Sequence, residues 1–174
     1  MIYKIFFGLF FVLFCSLSNA EEAQNYILGA GDKIEIKVFG QPELGVTALL
    51  GNSGEVNYPF LGKVKLAGLT TSEVEQEISN GLKPDYLINP NVYAQVIEYR
   101  PFYIHGEVKA PGGYPYQPAM TVNQAIALAG GLTERASVDK IYIFKEQTKQ
   151  QQNKGSLNSQ IAAGDTIKIE QRLF

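Results

Sequence analysis

The chain has 174 residues, of which 45% are hydrophobic and 18% charged, and its formal net charge is −2. This composition is typical of a folded protein with one ordinary domain or two small ones, and it excludes a disordered tail. A mildly acidic chain without a basic run does not favour nucleic acid or an anionic membrane surface as the main partner.

The first twenty residues have the pattern of a cleaved secretion signal. Lys4 provides a positive start, an apolar run extends from Ile5 to Phe14, and Ser18-Asn19-Ala20 provides the small residues that a signal peptidase recognises. We predict a signal peptide over residues 1–20, with cleavage between Ala20 and Glu21. A membrane anchor is the alternative, but the apolar run is shorter than the roughly twenty residues that span a bilayer.

The single cysteine, Cys15, lies inside this leader, so the mature chain cannot form a disulfide. Phe14 precedes it, whereas a lipoprotein signal requires a small residue at that position. We therefore expect no lipid anchor.

Two kinds of strand signal follow the leader. Ile34, Ile36 and Val38 alternate with charged residues directly after a Gly31-Asp32 turn, and this period-two pattern predicts a strand with one buried face. Between residues 51 and 70, Gly, Asn and Pro punctuate the chain as they do in short strands joined by tight turns.

A helix is predicted from Thr71 to about Leu82. Thr70 and Glu73 have the spacing of a capping box, and Val74, Ile78 and Leu82 form an apolar stripe. Proline at position 84 disfavours the helical conformation in the residue before it and ends the helix. Another alternating run, from residue 92 to residue 99, predicts the next strand.

The stretch from Phe102 to Thr133 predicts a hairpin followed by a short capped helix. Glycine and proline between residues 106 and 113 predict the turn, and a second short strand is expected at Tyr114–Tyr116. Thr121 and Gln124 form another capping-box pattern. Gly130-Gly131 then predicts the helix end, because glycine adopts the left-handed conformation common there.

The remaining segment contains two strand signals separated by polar residues. Ile141–Phe144 predicts a strand, whereas the glutamine-rich run from Gln147 to Ser159 has little apolar surface and is expected to be a loop. The Gly164-Asp165 turn and the alternating strand after it echo Gly31-Asp32 and its strand. Arg100-Pro101 is the expected boundary between two domains.

The residue types do not support catalysis or a multi-ligand metal site. A mature chain with one histidine and no cysteine excludes Cys-His catalysis and zinc sites that need several His or Cys ligands. His105 is expected to have a structural or interface role, and Asp32 and Asp165 to accept hydrogen bonds from nearby backbone. We predict no enzyme activity, no cofactor and no metal.

Tyr103, Tyr114 and Tyr116 have two interpretations. They are candidate sugar contacts, because an aromatic face packs on a sugar ring and the hydroxyl forms hydrogen bonds. The preferred interpretation is that they fill the core of a small β-rich domain.

Two motif sets carry resemblances to a known family. The motif G-E-V-x-x-P-G-x-Y from Gly106, followed by T-V-x-x-A-I-A-L-A-G-G-L-T from Thr121, resembles the SLBB module, a β-grasp-like unit of outer-membrane polysaccharide export proteins. Upstream, Y-x-L-G-x-G-D-x-I-x-I-x-V from Tyr26, then Y-P-F-L-G-K-V, A-G-L-T and N-P-x-V, resemble the polysaccharide export sequence domain of the same proteins.

These resemblances imply an α+β fold of two small modules, an export-sequence domain over residues 24–99 and an SLBB domain over residues 101–174. The motif positions expected to serve the fold and subunit contact are Gly31, Asp32, Gly62, Gly68, Gly106, Glu107, Pro111, Gly112, Gly130 and Gly131. Larger proteins of this kind continue into an amphipathic helix that forms an outer-membrane pore. Here the chain stops at Phe174, so we expect no membrane crossing by this chain itself.

The implied function is a periplasmic part of an exopolysaccharide or capsule export machine. The implied partners are further copies of the chain, an inner-membrane polysaccharide co-polymerase that controls chain length, a separate outer-membrane β-barrel, and the polysaccharide. Two alternatives remain open: a soluble periplasmic glycan-binding module without a transport role, and a polysaccharide-modifying enzyme.

Overall fold

The computed structural model describes residues 26–148 and 152–172. They form an α+β protein of two modules, each with its own hydrophobic core, which confirms the predicted fold class. The predicted leader with its Ala20–Glu21 cleavage site lies outside the described residues, as does Phe174.

The N-terminal module contains a three-stranded antiparallel sheet and a separate hairpin. In the sheet, β1 (Lys33–Val38) lies between β2 (Val46–Leu49) and β5 (Val92–Glu98). The hairpin consists of β3 (Glu55–Tyr58) and β4 (Gly62–Lys65). The period-two interpretation of β1 is confirmed, since its aliphatic side chains are buried in turn along the strand.

Helix α1 (Thr71–Leu82) covers this sheet and has the predicted bounds. Both hydrogen bonds of the Thr70–Glu73 capping box are present, and the Val74, Ile78 and Leu82 stripe is fully buried. The helix thus satisfies its first backbone donors locally and buries one face in the N-terminal core.

The C-terminal module is a five-stranded sheet in the order β7-β6-β10-β8-β9. Its strands are β6 (Phe102–Gly106), β7 (Gly112–Tyr114), β8 (Ala136–Phe144), β9 (Gln152–Gly155) and β10 (Thr166–Gln171). The β6–β10 pair is parallel and the other pairs are antiparallel. The first and last strands of the module are therefore neighbours near the middle of the sheet.

Helix α2 (Val122–Leu128) packs on one face of this sheet. Its predicted Thr121–Gln124 capping box is present. Gly130 and Gly131 follow the helix with φ values of 77° and 93°. No helix within residues 26–148 and 152–172 is both long and apolar enough to cross a bilayer.

The structure corrects the loop predicted from Gln147 to Ser159. Residues Gln152–Gly155 form β9, which pairs with β8 at the edge of the sheet. An edge strand needs one hydrogen-bonded neighbour and little apolar surface, so a polar composition did not reveal it. Strand β8 also begins five residues earlier than predicted, at Ala136.

The position of the second hairpin strand also differs from the prediction. Strand β7 is Gly112–Tyr114 rather than Tyr114–Tyr116, so the glycine pair belongs to the strand. The physical reason lies in Tyr103, which pairs with Gly113 and places its ring over it. A Cβ at Gly113 would stand 3.0 Å from that ring.

Candidate functional site

Arg100 joins the two modules through its side chain as well as through the chain itself. It follows β5 and precedes β6, and its side chain is only 11% exposed. Its Nη1 lies 2.6 Å from Asp32 Oδ2, and its Nε lies 2.7 Å from Glu146 Oε2. The guanidinium therefore binds one carboxylate from each module.

Asp32 is fully buried and has hydrogen-bond donors on both oxygens. The backbone N–H groups of Gly29 and Arg100 each donate at 2.8 Å, in addition to the guanidinium of Arg100. Tyr26 donates its hydroxyl proton to the same carboxylate, 2.7 Å from Oδ1. A buried charge is tolerated when it is paired and hydrogen-bonded in this way.

Two pKa shifts follow from this arrangement. Burial and the hydrogen bond to Asp32 raise the pKa of Tyr26 far above its usual value. Burial acts to lower the pKa of Arg100, but the interactions with Tyr26, Asp32 and Glu146 raise it more, so the guanidinium stays charged. The junction thus holds the protonated hydroxyl of Tyr26 beside the Arg100–Asp32 ion pair.

Aromatic rings extend this junction into the C-terminal module. The rings of Tyr26 and Tyr99 meet edge to face with centroids 4.8 Å apart, and Tyr99 meets Tyr116 in the same manner at 5.6 Å. Edge-to-face pairs of this kind add to the contact between the modules.

A cleft of about 570 Å³ opens beside Arg100. One side is the Ala30-Gly31 turn of the N-terminal module, and the other is the start of the C-terminal sheet. The lining residues are Ala30, Gly31, Arg100, Pro101, Tyr103, His105, Phe144, Glu146, Gly164 and Thr166. Aromatic rings, a hydroxyl, an imidazole and an ion pair therefore surround one open space.

The three candidate sugar contacts do not form one site. Tyr103 is half exposed and lines the cleft. Tyr114 stacks on Phe102 at 6.0 Å and donates its hydroxyl to Ala110, and Tyr116 packs at the junction. Tyr114 and Tyr116 thus pack against the core, as the preferred interpretation expects, while Tyr103 does not.

The predicted motif positions lie mainly at turns. Positive φ values occur at Gly31, Gly62, Gly68, Gly106, Gly130 and Gly131. Glu107 accepts a 2.5 Å hydrogen bond from the Thr133 hydroxyl. Pro111 and Gly112 are exposed. At Gly106 a side chain is excluded for a second reason, because a Cβ would overlap the carbonyl oxygen of Ile169.

Asp32 and Asp165 accept backbone hydrogen bonds, as their position after glycine predicted. Each accepts at 2.8 Å from the residue three positions earlier. His105 is exposed on β6, and the described part of the chain brings together no group of three potential metal ligands.

No local pattern in the sequence indicates the junction. Arg100 lies 74 residues from Tyr26 and 46 from Glu146, so no short motif connects them. The only available signal was the position of Arg100 at the expected boundary.

The N-terminal module also exposes aromatic and aliphatic side chains. Phe60, at the tip of the β3–β4 hairpin, is 65% exposed and stacks on Tyr86 at 4.8 Å, and Ile88 nearby in sequence is 84% exposed. We call Phe60, Tyr86 and Ile88 the hairpin patch. Phe39, 85% exposed, lines a separate cleft of about 640 Å³ with Pro42 and Tyr93.

Comparison with known proteins identifies both modules. The chain matches the family described as "Polysaccharide biosynthesis/export protein" over residues 20–97 and the SLBB domain over residues 101–156. The SLBB match ends before β10, which the structure places inside the sheet of that module.

Three of the relatives that are similar in sequence illustrate the match. Exopolysaccharide production protein ExoF of Rhizobium meliloti is 38% identical over 67% of this chain and 30% of its own length. EPS I polysaccharide export outer membrane protein EpsA of Ralstonia nicotianae is 28% identical over 87% of this chain and 49% of its own length. Polysialic acid transport protein KpsD of Escherichia coli is 30% identical over 85% of this chain and 28% of its own length.

The chain thus spans between about a quarter and a half of the length of these relatives. Both motif resemblances are confirmed, since the two matched domains follow each other in the expected order. The chain belongs to the polysaccharide export protein family, with an export-sequence domain followed by an SLBB domain.

Proposed function

We propose that the chain is a periplasmic component of an exopolysaccharide or capsule export machine. In this role it forms part of a conduit between an inner-membrane polysaccharide co-polymerase, which controls chain length, and an outer-membrane β-barrel supplied by a separate polypeptide. The family assignment supports the export role, and the relatives include a protein named for the outer membrane.

The observation that carries the conduit proposal is the exposed hairpin patch. Its stacked rings and Ile88 are exposed to solvent, although the N-terminal module has a separate hydrophobic core. Phe60 keeps this position at φ 64°, a conformation uncommon for a bulky residue. Exposed apolar groups of this kind mark interaction surfaces, so we assign the patch to contact with another copy of the chain.

The action proposed here is binding and assembly, without catalysis. A soluble periplasmic glycan-binding module without a transport role is the second candidate, favoured by the half-exposed ring of Tyr103 in the cleft. Such a module would work as a monomer.

A clean deletion strain tests the export role. Polysaccharide is measured at the cell surface and in the periplasm, with and without the gene restored from a plasmid. We expect surface polysaccharide to fall in the deletion strain, with synthesis retained, and to return on complementation. Normal surface polysaccharide in the deletion strain would overturn the export role and favour the second candidate.

A further inference from the structure

Among the described residues, helix α2 packs on one face of the C-terminal sheet, while the side chains on the other face are exposed or half-exposed. Phe102, Ile104, Ile141 and Ile167 point to the first face and pack with α2. Residues between them in the strands point away from the helix and are exposed or half-exposed. We call this second side the open face.

Two cross-strand rows define the open face. The first row contains Tyr103, Thr166, Phe144 and Gln152, which are partners across β6, β10, β8 and β9. The second row contains His105, Lys168, Tyr142 and Lys154 across the same strands. Four strands at the usual sheet spacing extend about 14 Å, which accommodates a short oligosaccharide.

The first row opens directly into the junction cleft. Tyr103, Phe144 and Thr166 line it, opposite the Ala30-Gly31 turn. Aromatic rings pack against the C–H face of a sugar, and the hydroxyl of Thr166 and the guanidinium of Arg100 line the same cleft as polar groups. This chemistry suits a sugar ring.

The second row supplies positive charge. The described strands place Lys140, Lys154, Lys168 and Glu170 on this face, and Glu146 in the adjoining cleft pairs with Arg100 at 2.7 Å. Lys168 pairs with Glu170 at 2.7 Å, which leaves the face with an excess of cations although the whole chain has a net charge of −2. A basic face on an acidic protein complements an anionic ligand.

We propose that the open face binds a carboxylate-bearing segment of polysaccharide, with sugar rings on the Tyr103 row and carboxylates on the Lys168 row. This inference rests on the proposed export function and names the class of polymer that the chain contacts. Neither row alone defines the ligand, because the aromatic rings of the Tyr103 row would also stack on neutral sugars and the lysines of the Lys168 row would also bind any polyanion.

The test compares three probes by nuclear magnetic resonance titration of the full chain. The probes are a short oligogalacturonate, a neutral maltooligosaccharide of the same length, and polyglutamate as an anion without sugar rings. We expect oligogalacturonate to bind most tightly, to shift the signals of Tyr103, His105 and Phe144, and to bind more weakly as salt is raised.

Two variants test the two rows separately. Tyr103→Ser removes the half-exposed ring, and Lys154→Gln removes a charge from an exposed position. We expect each to weaken oligogalacturonate binding about tenfold, the loss of one good contact. Lys63→Gln, an exposed lysine on β4 in the other module, is the matched control and should bind as the parent does.

Several outcomes would overturn the inference. If the neutral oligosaccharide binds as tightly as oligogalacturonate, the ligand need not be acidic. If polyglutamate binds as tightly, the ligand need not contain sugar rings. No binding, or shifts outside the open face, would remove the site. Each result is independent of the deletion strain: a strain that needs the chain for export while oligogalacturonate does not bind rejects this site and keeps the export role.

Discussion

Asp32 and Asp165 close two turns of the same local design but meet different cations. Each follows a glycine with positive φ, and each accepts a hydrogen bond from the backbone three residues earlier. Asp32 pairs with the buried Arg100, whereas Asp165 pairs with Lys145, whose side chain is 42% exposed. We therefore expect the stability of the fold to depend more on the charge of Asp32 than on that of Asp165.

We predict that Asp32→Asn lowers the free energy of unfolding by about 3 kcal/mol, because it breaks a buried ion pair and leaves Arg100 with one carboxylate. Asp165→Asn, the matched control, should cost about 1 kcal/mol, since Lys145 turns to solvent. Urea unfolding measures both. Equal losses of unfolding free energy would show that the Asp32–Arg100 pair stabilises the fold no more than the Asp165–Lys145 pair does.

Tyr26 makes stability depend on alkaline pH. Its pKa is raised in the folded protein by burial and by its hydrogen bond to Asp32, so folding favours the protonated hydroxyl. This contribution is fully present below the ordinary tyrosine pKa of about 10 and is lost as pH rises above it. We predict that the melting temperature of the parent falls more steeply above about pH 10 than that of Tyr26→Phe. Parallel curves would contradict this assignment.

At the scale of elements, the local signals in the sequence located the helices well. The capping boxes at Thr70 and Thr121 predicted where α1 and α2 begin, because side-chain caps act over three residues and are visible in the sequence. Period-two burial predicted β1 for the same reason. In each case the stabilising contacts lie within the pattern itself.

Edge strands and the junction required information that no local pattern holds. Strand β2 has the short sequence V-T-A-L and pairs with β1 on one side only, and polar β9 pairs only with β8. Neither has the two-sided burial that makes a strand recognisable. The candidate cleft combines residues from both modules, so the sequence could point to Tyr103 as a candidate sugar contact but not to its neighbours in the cleft.

Gly106 tests how tightly β6 and β10 approach. Its φ is 92°, and a Cβ would overlap the carbonyl oxygen of Ile169. We predict that Gly106→Ala lowers the free energy of unfolding by about 3 kcal/mol, from backbone strain and displacement of β10. Gly112→Ala, where the nearest atom lies 3.9 Å away, is the control and should change it by less than about 0.5 kcal/mol. Similar values for both would reject the close approach.

At the scale of the whole molecule, the two cores are separate, and the modules meet through Arg100, its two carboxylates and the Tyr26–Tyr99–Tyr116 rings. A junction of this kind orients the open face relative to the hairpin patch. Copies of the chain that associate through the patch would therefore repeat the open face at regular intervals.

We predict that Phe60→Asn weakens self-association at least about tenfold, because it removes the exposed ring. Asparagine tolerates the positive φ at this position, so the fold should be retained. Native mass spectrometry over a concentration series measures the effect. Val138→Thr, at a half-exposed site in the C-terminal module, is the control. Identical assembly of Phe60→Asn and the parent would exclude the patch as the contact.

The parallel pairing of β6 and β10 has a consequence for the order in which the C-terminal module forms. Until residues 166–171 have been synthesised, β6–β7 and β8–β9 are two hairpins with no strand between them. Isolated hairpins are marginally stable in water. We therefore expect the module to complete its fold late, when its last strand enters between the two hairpins and closes the sheet.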